Sequence, residues 1–416
     1  MRLFRLTTFV LLTCLAACSG DDDDSDGDSS GEPDDGATVD ESGQPTDDTR
    51  PADDGSAGSA GDGDGDSVGP APGGDGDGNG NGDGDGDGGG AAPVGDEDWP
   101  RPLGTSHYDL GNVPFEISWP MEPTITDEVE VMSAAEFSMA AGTPGTRVVV
   151  TAPIPTAGPG ELRIAASDIE VTMEDGASLG VVTIQREVAR VALLGGRYQE
   201  IFMTDGWDGS ASMVRPEWIV EDVLIDGVYI DTENGTGVQA RGNRIAIVNS
   251  TVYAGQYDFY CGNSRGEQSH DIIIAGNRFS SDPGIEATVR LVHVVRSVTM
   301  DNELHNVIKH SYRVHGISDL VYASGNTLIE TGLMIGTMPG DEVGDVWFMD
   351  NTFYHAQNSL FQHGELGGLV ATGNVAYTEV PCFVCVGPPA DPSWTTEPNE
   401  LHPYQDPPDA GWIDER

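Results

Sequence analysis

The sequence predicts an all-β solenoid, a parallel β-helix built from coils of about 25 residues. Asparagines recur late in the chain, each after a short apolar run of strand character; they are Asn249, Asn277, Asn302, Asn326, Asn351 and Asn374. Their separations are 28, 25, 24, 25 and 23 residues. Helical periodicity is absent from this region, and Gly or Asn interrupts the strand-like runs about every eight to twelve residues. An antiparallel sandwich would not keep such a period.

The repeated asparagines predict a ladder at one corner of the coils. Asparagine tolerates left-handed backbone at a sharp bend, and its amide hydrogen-bonds locally. Stacked coil upon coil, each amide can satisfy the next. The alternative, in which asparagine marks unrelated turns, is disfavoured because six residues keep the register.

The first residues resemble the signal segment of bacterial lipoproteins. Met1–Cys18 begins with Arg2 and Arg5, continues with an apolar run too short to span a bilayer, and ends in Leu-Ala-Ala-Cys. The resemblance implies a signal peptide over residues 1–17, cleavage before Cys18 and lipidation of Cys18. It implies contact with a membrane through the lipid alone. The expected location is extracytoplasmic, at the outer membrane or cell surface of a Gram-negative bacterium.

Residues 18–98 are predicted to form a disordered acidic linker. From residue 19 to 98 there are 26 acidic residues against Arg50, and almost no apolar groups that could repay the entropy of ordering. The alternating Asp tract from Asp75 to Asp87 resembles the start of a calcium loop. An EF-hand loop needs Glu at its twelfth position, where this tract has Gly86. Weak Ca²⁺ binding therefore stays open as an alternative, and no other cofactor or metal is predicted.

Charge and cysteine content restrict the partners and the setting. The chain carries a formal net charge of −51, which disfavours nucleic acid because the phosphate contacts would be repulsive. We expect a monomer. Outside the leader three cysteines remain, in an oxidising compartment. Cys382 and Cys385 could close a small disulfide loop, which would leave Cys261 as a buried thiol.

The folded part is predicted to begin with a short helix after an irregular lead-in over residues 99–132. The helical stretch 133–141, the turn Gly142-Thr-Pro-Gly145 and the strand 147–151 resemble the amino-terminal cap of the pectate-lyase-like superfamily. This resemblance implies a right-handed parallel β-helix with a capping helix, which we place at residues 133–385. A Pro-rich tail, residues 386–416, would follow it.

Each coil contains a second strand, and aligning these strands predicts an outward column of cationic side chains. Alternation would place one set of residues inward: Ala240, Tyr260, Val292, Val314 and Ile335. It would place another set outward: Arg241, Cys261, His293, His315 and His363. A dense ionisable cluster follows His305 and includes Lys309, the one lysine of the chain.

Lyases of the superfamily abstract a proton beside a carboxylate of a uronic-acid polysaccharide. The resemblance therefore implies Lys309 as base, Arg313 as carboxylate clamp and His315 or His293 as proton donor. Neighbouring cations would lower the pKa of Lys309. Arg241, Tyr312 and His363 are the expected substrate-binding residues. A non-catalytic glycan-binding groove and a plain stacked ladder remain alternatives.

The predicted function is that of a surface-tethered protein that binds an extracellular polysaccharide and could cleave it by β-elimination. The alternative is a non-catalytic structural or adhesive rod. Hydrolysis fits worse, since glycosidases need two close carboxylates on one face and no such pair aligns across neighbouring coils. A serine elbow, a phosphate loop and a dinucleotide fingerprint are absent from the sequence.

Overall fold

The computed structural model describes most of the chain from residue 108 to residue 407. The described ranges are 108–156, 158, 160–203, 219–232, 235–262, 268–281, 287–306, 310–330, 332–337, 340–355, 361–379, 382–389 and 391–407. Cys18, the acidic linker and Lys309 lie outside these residues. Across them, no helix is long and apolar enough to cross a membrane.

The described chain is an all-β parallel solenoid, which confirms the predicted fold class. Each full coil contributes one strand to each of three faces, and every strand pairs in parallel with strands of the neighbouring coils. At about 4.8 Å per coil, the 11 strands of the first face extend over roughly 50 Å. Right-handed winding is what parallel crossovers favour.

The first face is an 11-stranded sheet. Its strands are β1 (Asp127–Val131), β2 (Thr146–Val150), β4 (Ile169–Met173), β6 (Ala189–Leu194), β8 (Val220–Asp226), β11 (Gly242–Val248), β14 (Ser269–Ala275), β17 (Val294–Met300), β20 (Ile317–Ser324), β23 (Glu342–Met349) and β26 (Leu366–Thr372). The labels follow chain order.

The second face comes after the asparagine corner of each coil. Its strands are β9 (Tyr229–Thr232), β12 (Thr251–Ala254), β15 (Arg278–Ser281), β18 (Glu303–Asn306), β21 (Thr327–Ile329), β24 (Thr352–His355), β27 (Val375–Thr378) and β29 (Glu400–His402). The third face completes the coil. Its strands are β3 (Leu162–Ile164), β5 (Ser178–Ile184), β7 (Arg197–Met203), β10 (Thr236–Ala240), β13 (Tyr257–Gly262), β16 (Val289–Val292), β19 (His310–His315), β22 (Gly332–Ile335), β25 (Phe361–His363) and β28 (Val384–Val386).

The interior of the coils is a continuous apolar core. Alternate side chains of each strand point inward, and the buried set is dominated by Val, Ile, Leu and Phe. Towards the carboxyl end phenylalanines pack on one another, with ring centroids of Phe348 and Phe353 5.7 Å apart. Burial of these rows is the main force that holds the coils together.

An asparagine ladder lies at the corner between the first and second faces. Each buried amide donates through Nδ2 to Oδ1 of the asparagine in the next coil: Asn277 to Asn302, Asn302 to Asn326, Asn326 to Asn351 and Asn351 to Asn374, at 2.9–3.0 Å. Asn374 donates in turn to Asn399 at 2.8 Å. Asn399 lies in the segment predicted as a Pro-rich tail, outside the predicted ladder.

Asn249 does not belong to the ladder, which corrects its predicted place. Ser250 occupies the corner position instead, and its backbone N–H donates to Asn277 Oδ1 at 2.9 Å. Asn249 lies one residue earlier, in left-handed backbone with φ of 51°. Its Nδ2 donates to Asp226 Oδ1 at 3.0 Å. This offset adds one residue to the first interval, since Ser250 and Asn277 are 27 residues apart.

Both ends of the solenoid differ from the predicted boundaries. The strand β1 lies within the predicted lead-in and pairs with β2. Helix α1 (Ala134–Ala140) follows it, with Ser133 as N-cap and with Phe137 fully buried in the core. At the other end β29 pairs with β27, so the coils continue beyond residue 385.

An extended strap, residues 108–126, crosses the outer surface of the first face. Its apolar side chains alternate with exposed ones and pack on outward residues of the sheet such as Ile273 and Tyr322. The Phe115 and Trp347 rings are 5.8 Å apart, and Tyr108 Oη donates to Asp301 Oδ2 at 2.7 Å. The apolar runs of β11 and β14 are therefore buried on both sides of the sheet.

A column of alternating acidic and basic residues runs beside the strap. Its members share left-handed backbone and lie in register on successive coils: Asp168, Arg190, Asp222, Arg244, Asp271 and Arg296. Each arginine forms a bidentate pair with the aspartate one coil before it, at 2.6–3.0 Å. Asp222 and Asp168 also accept backbone N–H groups of Met121 and Thr124. The column thus fixes the strap on the sheet.

Candidate functional site

The outward side chains of the third face form a row of polar and aromatic groups. Register aligns them on six successive coils: Gln239, Tyr260, Arg290, Arg313, Met334 and Gln362. Each lies between two inward residues of its strand, as strand alternation requires. We call this set the third-face row. Adjacent members lie one coil apart, about 4.8 Å along the axis.

The centre of the row combines guanidinium groups with tyrosine rings. Arg290 Nη1 donates to Tyr257 Oη at 2.6 Å. Its Cζ lies 5.5 Å from the Tyr257 ring centroid and 5.7 Å from the Tyr260 centroid. The two tyrosine rings pack on each other at 5.4 Å. These contacts hold the Arg290 side chain in one orientation through cation–π attraction.

Arg241 lies at the amino-terminal end of this cluster, just after β10. Its side chain is only 6% exposed, and Nε has no hydrogen-bond partner within the described residues. Burial lowers the pKa of Arg241, an effect opposed by the nearby Tyr260 and Cys261. A cation held out of water in this way favours a bound anionic group.

His315 and Asp341 form a pair next to Arg313. His315 Nδ1 donates to Asp341 Oδ2 at 3.2 Å, and the other oxygen of Asp341 accepts the Gly316 N–H at 2.7 Å. The His315 side chain is 3% exposed. His293 approaches from the preceding coil, where its Nδ1 accepts the Ile317 N–H at 2.9 Å. The carboxylate therefore fixes the His315 tautomer and leaves Nε2 with its lone pair.

Burial disfavours the protonated form of both histidines. Burial, reinforced by Arg313, lowers the pKa of His315 to about 4 even though Asp341 opposes the shift. Burial also lowers the pKa of His293. At neutral pH these rings can accept a proton rather than donate one. The proton-donor role of His315 or His293 stays a prediction, and the direction of these pKa shifts disfavours it.

Two predicted site residues, Tyr312 and His363, and the predicted column member Cys261 lie in the core instead of outward. Cys261 and His363 share an inward row with Ala240, Val314 and Ile335. Tyr312 is 1% exposed, accepts a hydrogen bond from Thr299 at 3.3 Å, and burial raises its pKa to about 12. Tyr312 and His363 therefore cannot contact a substrate on the outer face.

The predicted Arg/His column does not form. The register of the strands differs by one residue from the predicted alignment in part of the coils. His293 lies one residue beyond β16, and Val292 is the residue that pairs with His315. A slip of one residue exchanges the two sides of a strand. The true register repeats a large apolar residue, a variable residue and an apolar residue, as in Val289-Arg290-Leu291 and Tyr312-Arg313-Val314. This pattern could have identified Arg290, which the sequence analysis missed together with Asp341.

The donor groups at the site do not fit calcium. The third-face row holds two guanidinium groups and no carboxylate, whereas Ca²⁺ prefers carboxylate and carbonyl oxygens. Within the described ranges no three His, Cys, Asp or Glu side chains are placed to hold a metal ion. Cys261 is a buried free thiol whose pKa is raised by burial to about 12. Cys382 is disulfide-bonded.

Comparison with known proteins gives one structural likeness. No protein-family model and no curated protein matches the chain. A crystal structure of an alginate lyase from Paenibacillus sp. str. FPU-7 superposes with a TM-score of 0.42 and 14% sequence identity. The match covers 67% of this chain and 98% of that one. A likeness of this degree identifies neither a substrate nor an activity.

Proposed function

We propose that the protein binds an anionic polysaccharide on its third face. The observation that supports this best is the third-face row, where Arg290 and Arg313 lie on adjacent coils and Arg290 packs beside Tyr257 and Tyr260. The chain is otherwise strongly acidic, so a local group of arginines is selective for an anion that it holds by direct contact. Tyrosine rings add apolar area for the faces of sugar rings.

The binding test uses the full chain and a panel of polyuronates, with a neutral glucan as control. Changing both Arg290 and Arg313 to Gln should weaken polyuronate binding about tenfold or more per arginine, since hydrogen bonds to charged groups contribute about 1.5–3 kcal/mol. The matched control changes the exposed Arg163 and Arg186 to Gln, which alters the net charge equally. Binding should weaken with added salt. Equal affinities of the two double variants would contradict the proposal.

A second candidate function is cleavage of the same polysaccharide by β-elimination, favoured by the His315–Asp341 pair. His315 Nε2 would take the proton next to the carboxylate, and Arg313 would neutralise that carboxylate. The electron pair would form the new C=C bond as the glycosidic oxygen leaves and takes up a proton from water. Nε2 is buried without a partner among the described residues, so binding is the function that the present geometry supports better.

Cleavage is tested by following the ultraviolet absorbance of the unsaturated product on the polyuronate panel. His315→Gln should abolish the signal and leave binding within about twofold. Lys309, the predicted base, lies outside the described residues, and Lys309→Ala separates the two assignments. Retained activity in Lys309→Ala with loss in His315→Gln supports His315, and the reverse supports Lys309. If no polyuronate gives an unsaturated product, the protein binds the polysaccharide without cleaving it.

We further propose that Cys18 carries the lipid that tethers the protein at the cell surface. The proposal is supported by the Leu15-Ala16-Ala17-Cys18 ending of the leader. The Cys18→Ala variant should leave the membrane fraction of cells. Its retention there would contradict the lipid anchor.

A further inference from the structure

The outer side of β10 carries two long polar side chains that are almost wholly buried. Gln239 is 4% exposed, and Arg241, the residue that follows the strand, is 6% exposed. Strand alternation places both on the outer side, with Ala240 turned inward between them and with Cα atoms about 6.6 Å apart. Buried polar groups normally have hydrogen-bond partners. We call these two residues the Gln239–Arg241 pair.

Neither member of the pair is satisfied within the part of the chain that the structure describes. Gln239 Oε1 and Arg241 Nε are enclosed and have no hydrogen-bond partner there. No carboxylate is among the groups that shift the pKa of Arg241: burial lowers it, and Tyr260 and Cys261 oppose the shift. A guanidinium group that is out of water and has no counter-charge destabilises the folded chain.

Other arginines of the described chain show the contrast. Arg190, Arg244 and Arg296 are half-buried, and each holds an aspartate of the preceding coil through Nε and Nη2. The fold thus supplies carboxylates to these arginines and none to the more deeply buried Arg241. A carboxylate brought by a ligand would complete Arg241 in the same way.

Aromatic side chains flank the pair on the neighbouring coils. Register pairs Gln239 with Phe202 on one side and with Tyr260 on the other, and both rings are half-buried. They keep water from the pair and so strengthen a charge contact there. Among the described residues, Nε is the guanidinium nitrogen of Arg241 that is enclosed without a partner. A ligand therefore reaches the group at Nη1 and Nη2, through an opening that suits a small projecting anion.

The pair lies at the amino-terminal end of the third-face row. Tyr260 follows one coil later, Arg290 two coils later and Arg313 three coils later. Three coil spacings amount to about 14 Å along the axis. A linear chain of pyranose rings along the axis advances by about one coil spacing per sugar. Carboxylates at Arg290 and Arg313 can therefore belong to the same chain as one at Arg241.

We propose that the Gln239–Arg241 pair is a subsite for one further carboxylate of the bound polyuronate. Arg241 Nη1 and Nη2 donate to the carboxylate oxygens, and the amide N–H of Gln239 donates to one of them. The inference rests on the function proposed above and adds a length requirement to it. A ligand must extend over four coils, from Arg313 to Arg241, to use the subsite.

The test uses the full chain and oligomers of galacturonate and of mannuronate with three and six residues, titrated by calorimetry. In the parent the hexamer should bind about fivefold or more tightly than the trimer, because it reaches Arg241 as well. Arg241→Gln should remove most of that difference and leave trimer binding within about twofold, since the trimer still contacts Arg290 and Arg313. Arg163→Gln, at an exposed site, changes the net charge equally and should bind both oligomers as the parent does.

A second variant supplies the missing counter-charge from the chain itself. Gln239→Glu places a carboxylate beside Arg241 and changes the net charge by the same amount. The two side chains should pair, so the hexamer loses its advantage as it does in Arg241→Gln. The thermal midpoint of the ligand-free protein should rise by about 2 °C or more, because the buried cation gains a partner.

The outcomes separate this inference from the function on which it rests. Hexamer binding that survives Arg241→Gln or Gln239→Glu, or equal binding of trimer and hexamer by the parent, overturns the subsite and leaves the proposed function in place. A lower thermal midpoint for Arg241→Gln would show that Arg241 has a structural partner and would also overturn it. A parent that binds neither length overturns the proposed function together with the subsite.

Discussion

Replacing Asn326 with alanine removes one member from the middle of the asparagine ladder. Asn326 Oδ1 accepts both the backbone N–H and an Nδ2 hydrogen of Asn302, at 3.1 and 2.9 Å. Its own Nδ2 donates to Thr299 O and to Asn351 Oδ1, both at 2.9 Å. The side chain thus takes part in four hydrogen bonds, and the residue is 2% exposed.

The expected cost follows from the groups that lose partners. Two donors of Asn302 become unsatisfied in a buried corner, and each such donor costs about 1–3 kcal/mol. Thr299 O and Asn351 Oδ1 each lose a donor, which is less costly because a carbonyl oxygen can accept elsewhere. Partial entry of water reduces the sum, so we expect Asn326→Ala to lower the free energy of unfolding by about 2–4 kcal/mol.

The assay is urea unfolding followed by circular dichroism, with Asn249→Gly as control. Glycine accepts the left-handed backbone at position 249, and the change removes one hydrogen bond, to Asp226. The control should cost less than about 1.5 kcal/mol. Equal losses in the two variants, or a loss below 1 kcal/mol for Asn326→Ala, would refute the reasoning that the ladder stabilises the corner cooperatively.

Three further results are expected. Asp222→Asn should cost about 2–4 kcal/mol, because the buried carboxylate pairs with Arg244; adding Arg244→Gln should recover part of the loss in urea unfolding, and no recovery would contradict the pairing. The pKa of His315 in the folded protein, about 4, lies below its unfolded value of about 6.5, so the free energy of unfolding should fall as pH falls from about 6.5 to 4. His315→Gln should reduce that fall by up to about 3 kcal/mol. Identical pH curves for the variant and the parent would refute this expectation. Phe115→Ala should lower stability by about 1–2 kcal/mol and increase binding of a hydrophobic dye, because the strap loosens from Trp347; a control at the exposed Glu116 should change neither.

Side-chain types on the inner row of each coil could be predicted, whereas those on the outer row could not. Burial imposes apolar residues at fixed intervals, and this pattern predicts strands even without an exact alignment. Examples are Val289, Leu291, Val314 and Ile335. Nothing in the local sequence distinguishes Cys261 as inward from Tyr260 as outward, since both are compatible with either side. Only pairing with the neighbouring coil fixes this choice.

The sequence by itself determined the solenoid, because a repeat of about 25 residues with asparagine at the corner permits each coil to stack on the last. The sequence also predicted the acidic linker and the apolar strands. The tertiary structure alone decided which cations share a face. Arg290 and Arg313 are separated by 23 residues in sequence and are brought to one outer row by strand register. The same holds for the pairing of His315 with Asp341 and for the strap on the first face. These contacts join distant residues, and a one-residue shift in any coil would have separated them.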